Sequence, residues 1–134
     1  MIRLLSVAAL FILLSAELAL SAETELTNVS FSDVLAVPYR EADITHNYGE
    51  NQFQFGQLWL PATTPARASL VLIHGGCWLN QFDITYSHGL SSALADAGFA
   101  VWSLEYRRTG DEGGAWPGTF EDIIAGINSL NDID

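Results

Sequence analysis

The sequence predicts an α/β fold in which an antiparallel β-hairpin is followed by a βαβα unit. Two strand-like runs, residues 34–46 and 52–60, flank the turn-forming segment 47–51, and this arrangement predicts the hairpin. Two continuous apolar runs, residues 68–73 and 99–104, are typical of strands that are buried on both faces. Helix-type spacing of apolar residues follows each run, so we expect a sheet with helices packed on its faces.

The hairpin strands differ in their expected positions. The first contains Pro38, which cannot donate to a β-ladder, so we expect this strand at an edge of the sheet. In the second strand Phe53, Phe55 and Gln57 alternate with polar or small residues, as expected for a half-buried strand. The preceding residues 23–33 are polar and lack periodicity, and we expect them to form an N-terminal arm.

Apolar spacing predicts two helices. The first begins near Ser87 and ends before Gly98, a glycine at the position that commonly terminates helices. Its apolar positions are Leu90, Leu94 and Ala97. The second begins at Thr119, where Thr-Phe-Glu-Asp approximates a capping box. Its apolar face consists of Phe120, Ile123, Ile124, Ile127 and Leu130.

Residues 1–22 have the pattern of a secretory signal peptide. A short positive start is followed by a nearly continuous apolar stretch and by small residues that favour cleavage after Ser21 or Ala22. An uncleaved membrane anchor is the alternative, and Glu17 within the apolar stretch disfavours it. We therefore expect a secreted or periplasmic protein that meets the membrane only during export, with residues 23–134 forming one partial domain.

Composition excludes several classes of function. The formal net charge is −11 and the chain contains no lysine. Such a surface would repel phosphate backbones, and this argues against nucleic-acid binding. Cys77 is the only cysteine, which excludes an internal disulfide, and its sequence neighbours provide no metal-ligand spacing. The sequence accordingly predicts no metal and no cofactor, and it assigns no oligomeric state.

The most informative motif is His-Gly-Gly-Cys-Trp at residues 74–78, directly after an apolar strand. Glycines allow the backbone to turn sharply and leave its N–H groups open to a ligand. Such donors stabilise the oxyanion of an acyl-transfer transition state, each contributing about 3 kcal/mol. The N–H groups of Gly76 and Cys77 are the expected donors, with His74 and Gly75 as supporting residues and Trp78 as an apolar wall.

These residues resemble the α/β-hydrolase superfamily, in particular the esterase, lipase and kynurenine-formamidase-like branch with a His-Gly-Gly-x-Trp motif. Residues 96–101, 105–108 and 116–122 resemble, in order, three segments that follow the motif in that branch. The resemblance implies that Gly76 and Cys77 form the oxyanion hole of a serine hydrolase whose substrate is a small-molecule ester or amide. It also implies that this chain is the N-terminal half of an α/β-hydrolase sheet.

The nucleophile that the resemblance implies is absent from the 134 residues. No Gly-x-Ser-x-Gly occurs in the chain, and in this superfamily the nucleophile, the acid and the histidine follow one another in that order. We therefore expect an N-terminal fragment that is inactive alone and leaves the strand at residues 69–73 as an exposed apolar edge. Two alternatives remain open: a non-catalytic binding or interaction module, and a thiol enzyme that uses Cys77.

Several other polar residues could be mistaken for catalytic groups. We expect His74 to brace the loop through hydrogen bonds rather than to act as the base. Arg107 and Arg108 are expected to form salt bridges, although either could bind a substrate carboxylate. Tyr106 is expected to line the pocket or to pack. Surface, capping or structural roles are expected for His46, Asp83, His88 and Glu105.

Overall fold

The computed structural model describes residues 28–133, so the expected signal peptide lies outside the described residues. Helices are α1 (Phe31–Leu35), α2 (His88–Asp96) and α3 (Gly118–Asn128), and strands are β1 (Ile44–Asn47), β2 (Phe55–Trp59), β3 (Ser69–Ile73) and β4 (Ala100–Leu104). Single 3-10 turns at Ile84–Ser87 and Ser129–Asp132 precede α2 and follow α3. Within residues 28–133 no helix is long and apolar enough to cross a membrane.

The four strands form one sheet in the order β1-β2-β4-β3. Strands β1 and β2 form the expected antiparallel hairpin, with Ile44 opposite Leu58. Strand β4 pairs antiparallel with β2 and parallel with β3, and helix α2 provides the crossover between the two parallel strands. The predicted α/β class, hairpin first and βαβα second, is confirmed, and the fold is partial.

The first predicted strand is much shorter than expected, and residues 34–46 do not form one strand. Helix α1 occupies the start of this run because Ser30 caps it: the Asp33 N–H donates to Ser30 Oγ at 3.2 Å, and the Ser30 N–H donates back to Asp33 Oδ2 at 3.0 Å. Pro38 lies in the extended segment after this helix. Only the final four residues of the run, Ile44–Asn47, pair in the sheet.

Strand β4 is the centre of the core. Val101 packs on one face with Trp59 and Ala95. On the other face the Trp102 indole donates to the carbonyl of Gly126 at 2.8 Å, which binds helix α3 to the sheet. A Cβ on Gly126 would lie 2.6 Å from a methyl carbon of Leu104, so the glycine permits this close approach of helix and strand.

The buried face of α2 differs from the predicted one. Leu90 is 52% exposed, and the buried positions of the helix are His88, Gly89, Ser91, Ser92 and Ala95. Small side chains allow close contact, since a Cβ on Gly89 would lie 2.8 Å from Val37. Of the predicted apolar positions Leu94 packs against the core cluster and Leu90 does not, so apolar periodicity identified the helix but only part of its buried face.

Helix α3 begins at Gly118 rather than at Thr119, and the predicted capping box is wrong. The Thr119 hydroxyl instead donates to the carbonyl of Arg107 at 2.6 Å. Phe120, Ile124 and Ile127 on the apolar face are exposed, because the described residues do not cover this side of the helix.

Strand β3 is an edge strand in the described residues, so the prediction of burial on both faces is wrong. It pairs with β4 alone, and Val71 and Ile73 are each 41% exposed. The expectation of an exposed apolar edge at residues 69–73 is confirmed. No charged side chain or proline interrupts this strand.

Candidate active site

The His-Gly-Gly-Cys-Trp loop leaves the carboxyl end of β3 with an unusual backbone. Gly76, Cys77 and Trp78 have φ values of 118°, 54° and 61°, three consecutive residues in the left-handed region. Non-glycine residues in this region are uncommon and cost on the order of 1–3 kcal/mol each, so the surrounding structure must hold them there. This conformation turns the backbone sharply directly after the strand.

The two glycines of the motif are not equivalent. A Cβ on Gly76 would lie 2.5 Å from the Cβ of Phe82, so position 76 excludes larger residues by both conformation and space. A Cβ on Gly75 would meet only the hydroxyl of Tyr86, at 3.0 Å. Gly76 is therefore the position at which glycine is required.

An open cavity of about 320 Å³ lies beside the loop. It is lined by Ile73, His74, Gly75, Cys77, Trp78 and Tyr106. Within residues 28–133 the N–H groups of Gly76 and Cys77 donate no hydrogen bond, whereas the Gly76 carbonyl accepts one from the Leu79 N–H at 3.0 Å. The predicted donors thus lie in a loop whose wall is apolar and aromatic.

His74 is buried beneath the loop and is hydrogen bonded at both ring nitrogens. Its Nε2 lies 3.0 Å from Glu105 Oε1, and its Nδ1 lies 2.9 Å from the carbonyl oxygen of Gly75. The ring stacks on Tyr106 with centroids 4.3 Å apart, and the Tyr106 hydroxyl donates to the His74 carbonyl. These contacts are the ones that a bracing role requires.

Glu105, directly after β4, connects the loop to the rest of the fold. Its Oε1 accepts from the Tyr106 N–H at 2.9 Å and lies 3.3 Å from an Arg108 guanidinium nitrogen. Its Oε2 accepts from the Ile84 N–H at 3.0 Å. Glu105 is buried, which fits the expected structural role and not that of a solvated acid.

The two arginines form the expected salt bridges, but with buried partners and not on an acidic surface. Arg107 is bound to Asp122 at 2.8 and 2.6 Å, and Gln54 donates to the same carboxylate at 2.7 Å. Burial alone would raise the pKa of Asp122, but the hydrogen bonds from Arg107 and Gln54 outweigh it and lower that pKa. Arg108 is buried and also lies 3.3 Å from Asp111.

Neither of the other histidines lines the cavity. His88 begins α2 as expected, but it is buried between Tyr39 and Trp59 and not on the surface. Burial lowers its pKa. His46 lies on β1 beside Trp102, and Asp83 caps the 3-10 turn by accepting from the Thr85 N–H at 3.0 Å.

A second hollow of about 210 Å³ adjoins the first and shares Trp78 with it. Its aromatic walls are in mutual contact: the Phe120 ring lies 5.5 Å from Trp78 and 5.2 Å from Trp116 between centroids. The sequence pattern places Trp116 and Phe120 at the last helix but does not indicate that they belong to a site. These residues are far from residues 74–78 along the chain, so the sequence gives no sign that they lie close to the loop in space.

The comparisons with known proteins agree with this architecture. The family model described as BD-FAE matches residues 57–132, more than half of the chain. The chain belongs to the BD-FAE family. This BD-FAE chain is thereby a member of the α/β-hydrolase superfamily, as the motif implied. No curated protein shows significant similarity to it.

Solved structures share the fold of this BD-FAE chain. Esterase B from Lactobacillus rhamnosis HN001 has a TM-score of 0.60 and 23% identity, over 94% of this chain and 40% of the esterase. A proposed thioesterase from Silicibacter sp. TM1040 has a TM-score of 0.58 and 21% identity, over 87% of this chain and 47% of that protein. The BD-FAE chain thus spans less than half of either relative.

Proposed function

We propose that this chain provides the oxyanion-stabilising half of a secreted serine hydrolase that acts on a small-molecule ester or amide. The observation that carries the proposal is the left-handed backbone of Gly76, Cys77 and Trp78 beside the cavity. In the complete enzyme a downstream serine attacks the substrate carbonyl and a downstream histidine accepts its proton. Residues 1–22 direct the protein out of the cytoplasm.

The chemical argument rests on where negative charge develops. Attack on an ester or amide carbonyl converts its oxygen into an oxyanion, and fixed N–H donors lower the energy of that state without reorganising. The N–H groups of Gly76 and Cys77 are suited to this role, because they belong to a held loop that borders an aromatic cavity. Replacing a side chain at position 77 leaves the backbone donor in place, so a cysteine there is compatible with the role.

The ester class of substrate has support from one structural relative. Esterase B has a structure with a tributyrin phosphonate inhibitor. The present chain covers 40% of that esterase, and we assign the acyl pocket and the nucleophile to a further part of the complete enzyme.

Reading the gene past codon 134 and expressing the longer product tests the proposal. We expect an open frame that encodes Gly-x-Ser-x-Gly and then an acid and a histidine, and a product that hydrolyses p-nitrophenyl esters. Gly76→Ala in that product should lower kcat by about 10²-fold or more, since it displaces an oxyanion donor. Gly75→Ala is the matched control and should lower kcat far less.

A stop codon at this point, together with a stable and soluble 134-residue product, would overturn the enzymatic proposal. It would favour a binding or interaction module that retained the fold without the chemistry.

A further inference from the structure

We propose that His74 is held as an imidazolium, with a proton on both ring nitrogens, and that Glu105 fixes this positive charge behind the oxyanion loop. His74 and Glu105 are then positioning residues. The protonation state follows from the contacts of the ring alone. Its consequence for catalysis rests on the function proposed above.

The first ring nitrogen, Nδ1, must carry a proton. It lies 2.9 Å from the carbonyl oxygen of Gly75, and a carbonyl oxygen can only accept a hydrogen bond. The Tyr106 hydroxyl, 3.5 Å from the same nitrogen, donates its hydrogen to the His74 carbonyl and therefore does not donate to the ring. Nδ1 is thus a donor in this loop conformation.

The second ring nitrogen, Nε2, faces an oxygen that already receives two other donors. Glu105 Oε1 accepts from the Tyr106 N–H at 2.9 Å and lies 3.3 Å from the Arg108 guanidinium, and neither group can accept. The other oxygen, Oε2, accepts from the Ile84 N–H, so both oxygens act as acceptors, which is the hydrogen-bonding pattern of a carboxylate. With the proton absent from Glu105, the 3.0 Å contact to His74 requires Nε2 to carry it.

The surroundings of the ring suit a cation. The imidazole stacks nearly parallel on Tyr106, with 14° between planes, and Tyr86 meets it edge-on at 5.9 Å. A cation over an aromatic face is attracted by the ring quadrupole. Charges alternate along the buried chain of His74, Glu105, Arg108 and Asp111, so each charge has an opposite neighbour.

The consequence concerns the cavity that His74 helps to line. The His74 side chain is fully buried, so water does not screen its charge on the inner side of the loop. His74 and Glu105 form a fixed ion pair whose positive member contacts the loop through Nδ1, while Glu105 lies at the opposite ring nitrogen. The positive end of this pair adds to the attraction of the Gly76 and Cys77 donors for an oxyanion. It does so with no proton transfer and no movement of the loop.

The test is the two-bond ¹H–¹⁵N spectrum of the histidine rings in the uniformly labelled 134-residue chain at neutral pH. We expect both His74 nitrogens in the protonated range. His88 is the internal control: burial lowers its pKa, so one of its nitrogens should be unprotonated. An unprotonated Nε2 in His74 would place the shared proton on Glu105 or remove it, and either result overturns the proposal.

Glu105→Gln provides a second readout, with the exposed Glu112→Gln as the control for loss of one negative charge. We expect His74 to lose its second proton in Glu105→Gln alone. If Glu105→Gln fails to fold, the spectrum of the unsubstituted chain still decides. If self-association broadens the spectra, Val71→Lys on the exposed edge strand serves as the common background.

Titration with acetate separates this inference from the proposed function. The Gly76 and Cys77 amide resonances should shift with acetate. Binding should weaken in Glu105→Gln, because the positive charge that is lost lies nearer the loop than the negative charge removed with it. The loss should stay below about fivefold, the effect of one full unit charge at contact distance in water. Equal binding by both chains would overturn the electrostatic role of His74. A doubly protonated His74 with no amide shift in either chain would contradict the oxyanion role and leave the protonation state standing.

Discussion

At the scale of single residues, the loop depends on Gly76. Its φ of 118° and the 2.5 Å approach of Phe82 both exclude a side chain, whereas Gly75 has room for one methyl group if Tyr86 shifts slightly. The motif therefore needs glycine for its conformation at position 76, whereas the glycine at position 75 meets no such requirement.

We therefore expect Gly76→Ala to lower the free energy of unfolding by about 2 kcal/mol and Gly75→Ala to lower it by less than about 1 kcal/mol. Urea denaturation followed by tryptophan fluorescence measures both. Equal losses for the two variants would contradict the assignment of the requirement to position 76.

A second residue-scale prediction concerns acid sensitivity. The pKa of Asp122 is lowered from its ordinary value of 3.8, so the unfolded chain binds the proton more readily than the folded chain in acid. The stabilisation is complete above about pH 5 and is lost as the pH falls through 3.8 and below.

Asp122→Asn should accordingly cost about 2 kcal/mol at pH 7, and this cost should shrink towards pH 3. Urea unfolding at several pH values measures it. The neighbouring and exposed Glu121→Gln is the control and should change the free energy of unfolding by less than about 0.5 kcal/mol. A cost for Asp122→Asn that is independent of pH would contradict the lowered pKa.

The sequence located the glycine-containing loop but not the contacts that hold it. The motif at residues 74–78 is contiguous, so the need for glycine and the bracing role of His74 could be inferred from it. The partner of His74 is Glu105, 31 residues further along the chain, and only the pairing of β3 with β4 brings the two together. Contacts of this kind depend on the fold and have no local signal.

At the scale of elements, β3 is the weak edge of the sheet. Among the described residues it has one neighbouring strand, and it contains no charge and no proline, while Val71 and Ile73 are exposed. Such an edge favours pairing with another chain. We expect the 134-residue chain to form oligomers whose size rises with concentration.

Val71→Lys should shift this equilibrium to the monomer, because a charge on an edge strand opposes pairing with a second strand. Thr45→Lys adds the same charge to β1 at the opposite edge and should leave the association unchanged. Sedimentation velocity over a concentration series measures both. A soluble, cooperatively melting monomer of the unsubstituted chain would contradict the interpretation of the chain as a fragment.

In helix α3 we expect a glycine-to-alanine substitution to cost more stability than the loss of an isoleucine side chain. Ile124 is 61% exposed, so Ile124→Ala should change the free energy of unfolding by less than about 0.5 kcal/mol. Gly126→Ala should cost more than about 1 kcal/mol although alanine favours helices, because its Cβ would lie 2.6 Å from Leu104. Thermal unfolding compares the two variants, and the reverse ranking would contradict the packing of α3 on β4.

The periodicity of the sequence located both long helices and both parallel strands. It located only part of the buried face of α2, and it assigned the wrong face to α3 and the wrong environment to β3. The errors on α3 and β3 have one physical reason. Apolar spacing shows which side of an element is suited to burial, but actual burial needs a neighbour. Residues 28–133 provide none for Val71, Ile124 or Ile127, which are exposed.

At the scale of the whole molecule, one group of exposed apolar residues borders the candidate site. They lie on β3, on the loop after it and on α3, as Ile73, Trp78 and Phe120 illustrate. The relatives that share this fold are more than twice as long as the region they have in common with the chain. We therefore propose that the further part of a complete hydrolase covers these surfaces and completes the site.

We propose that the loop supplies oxyanion donors while the nucleophile comes from elsewhere. The decisive experiment is an assay of p-nitrophenyl acetate hydrolysis by the purified 134-residue chain, with Cys77→Ala measured in parallel. We expect no hydrolysis above the buffer rate for either chain. Hydrolysis by the unsubstituted chain that disappears in Cys77→Ala would contradict this proposal and would identify a thiol enzyme.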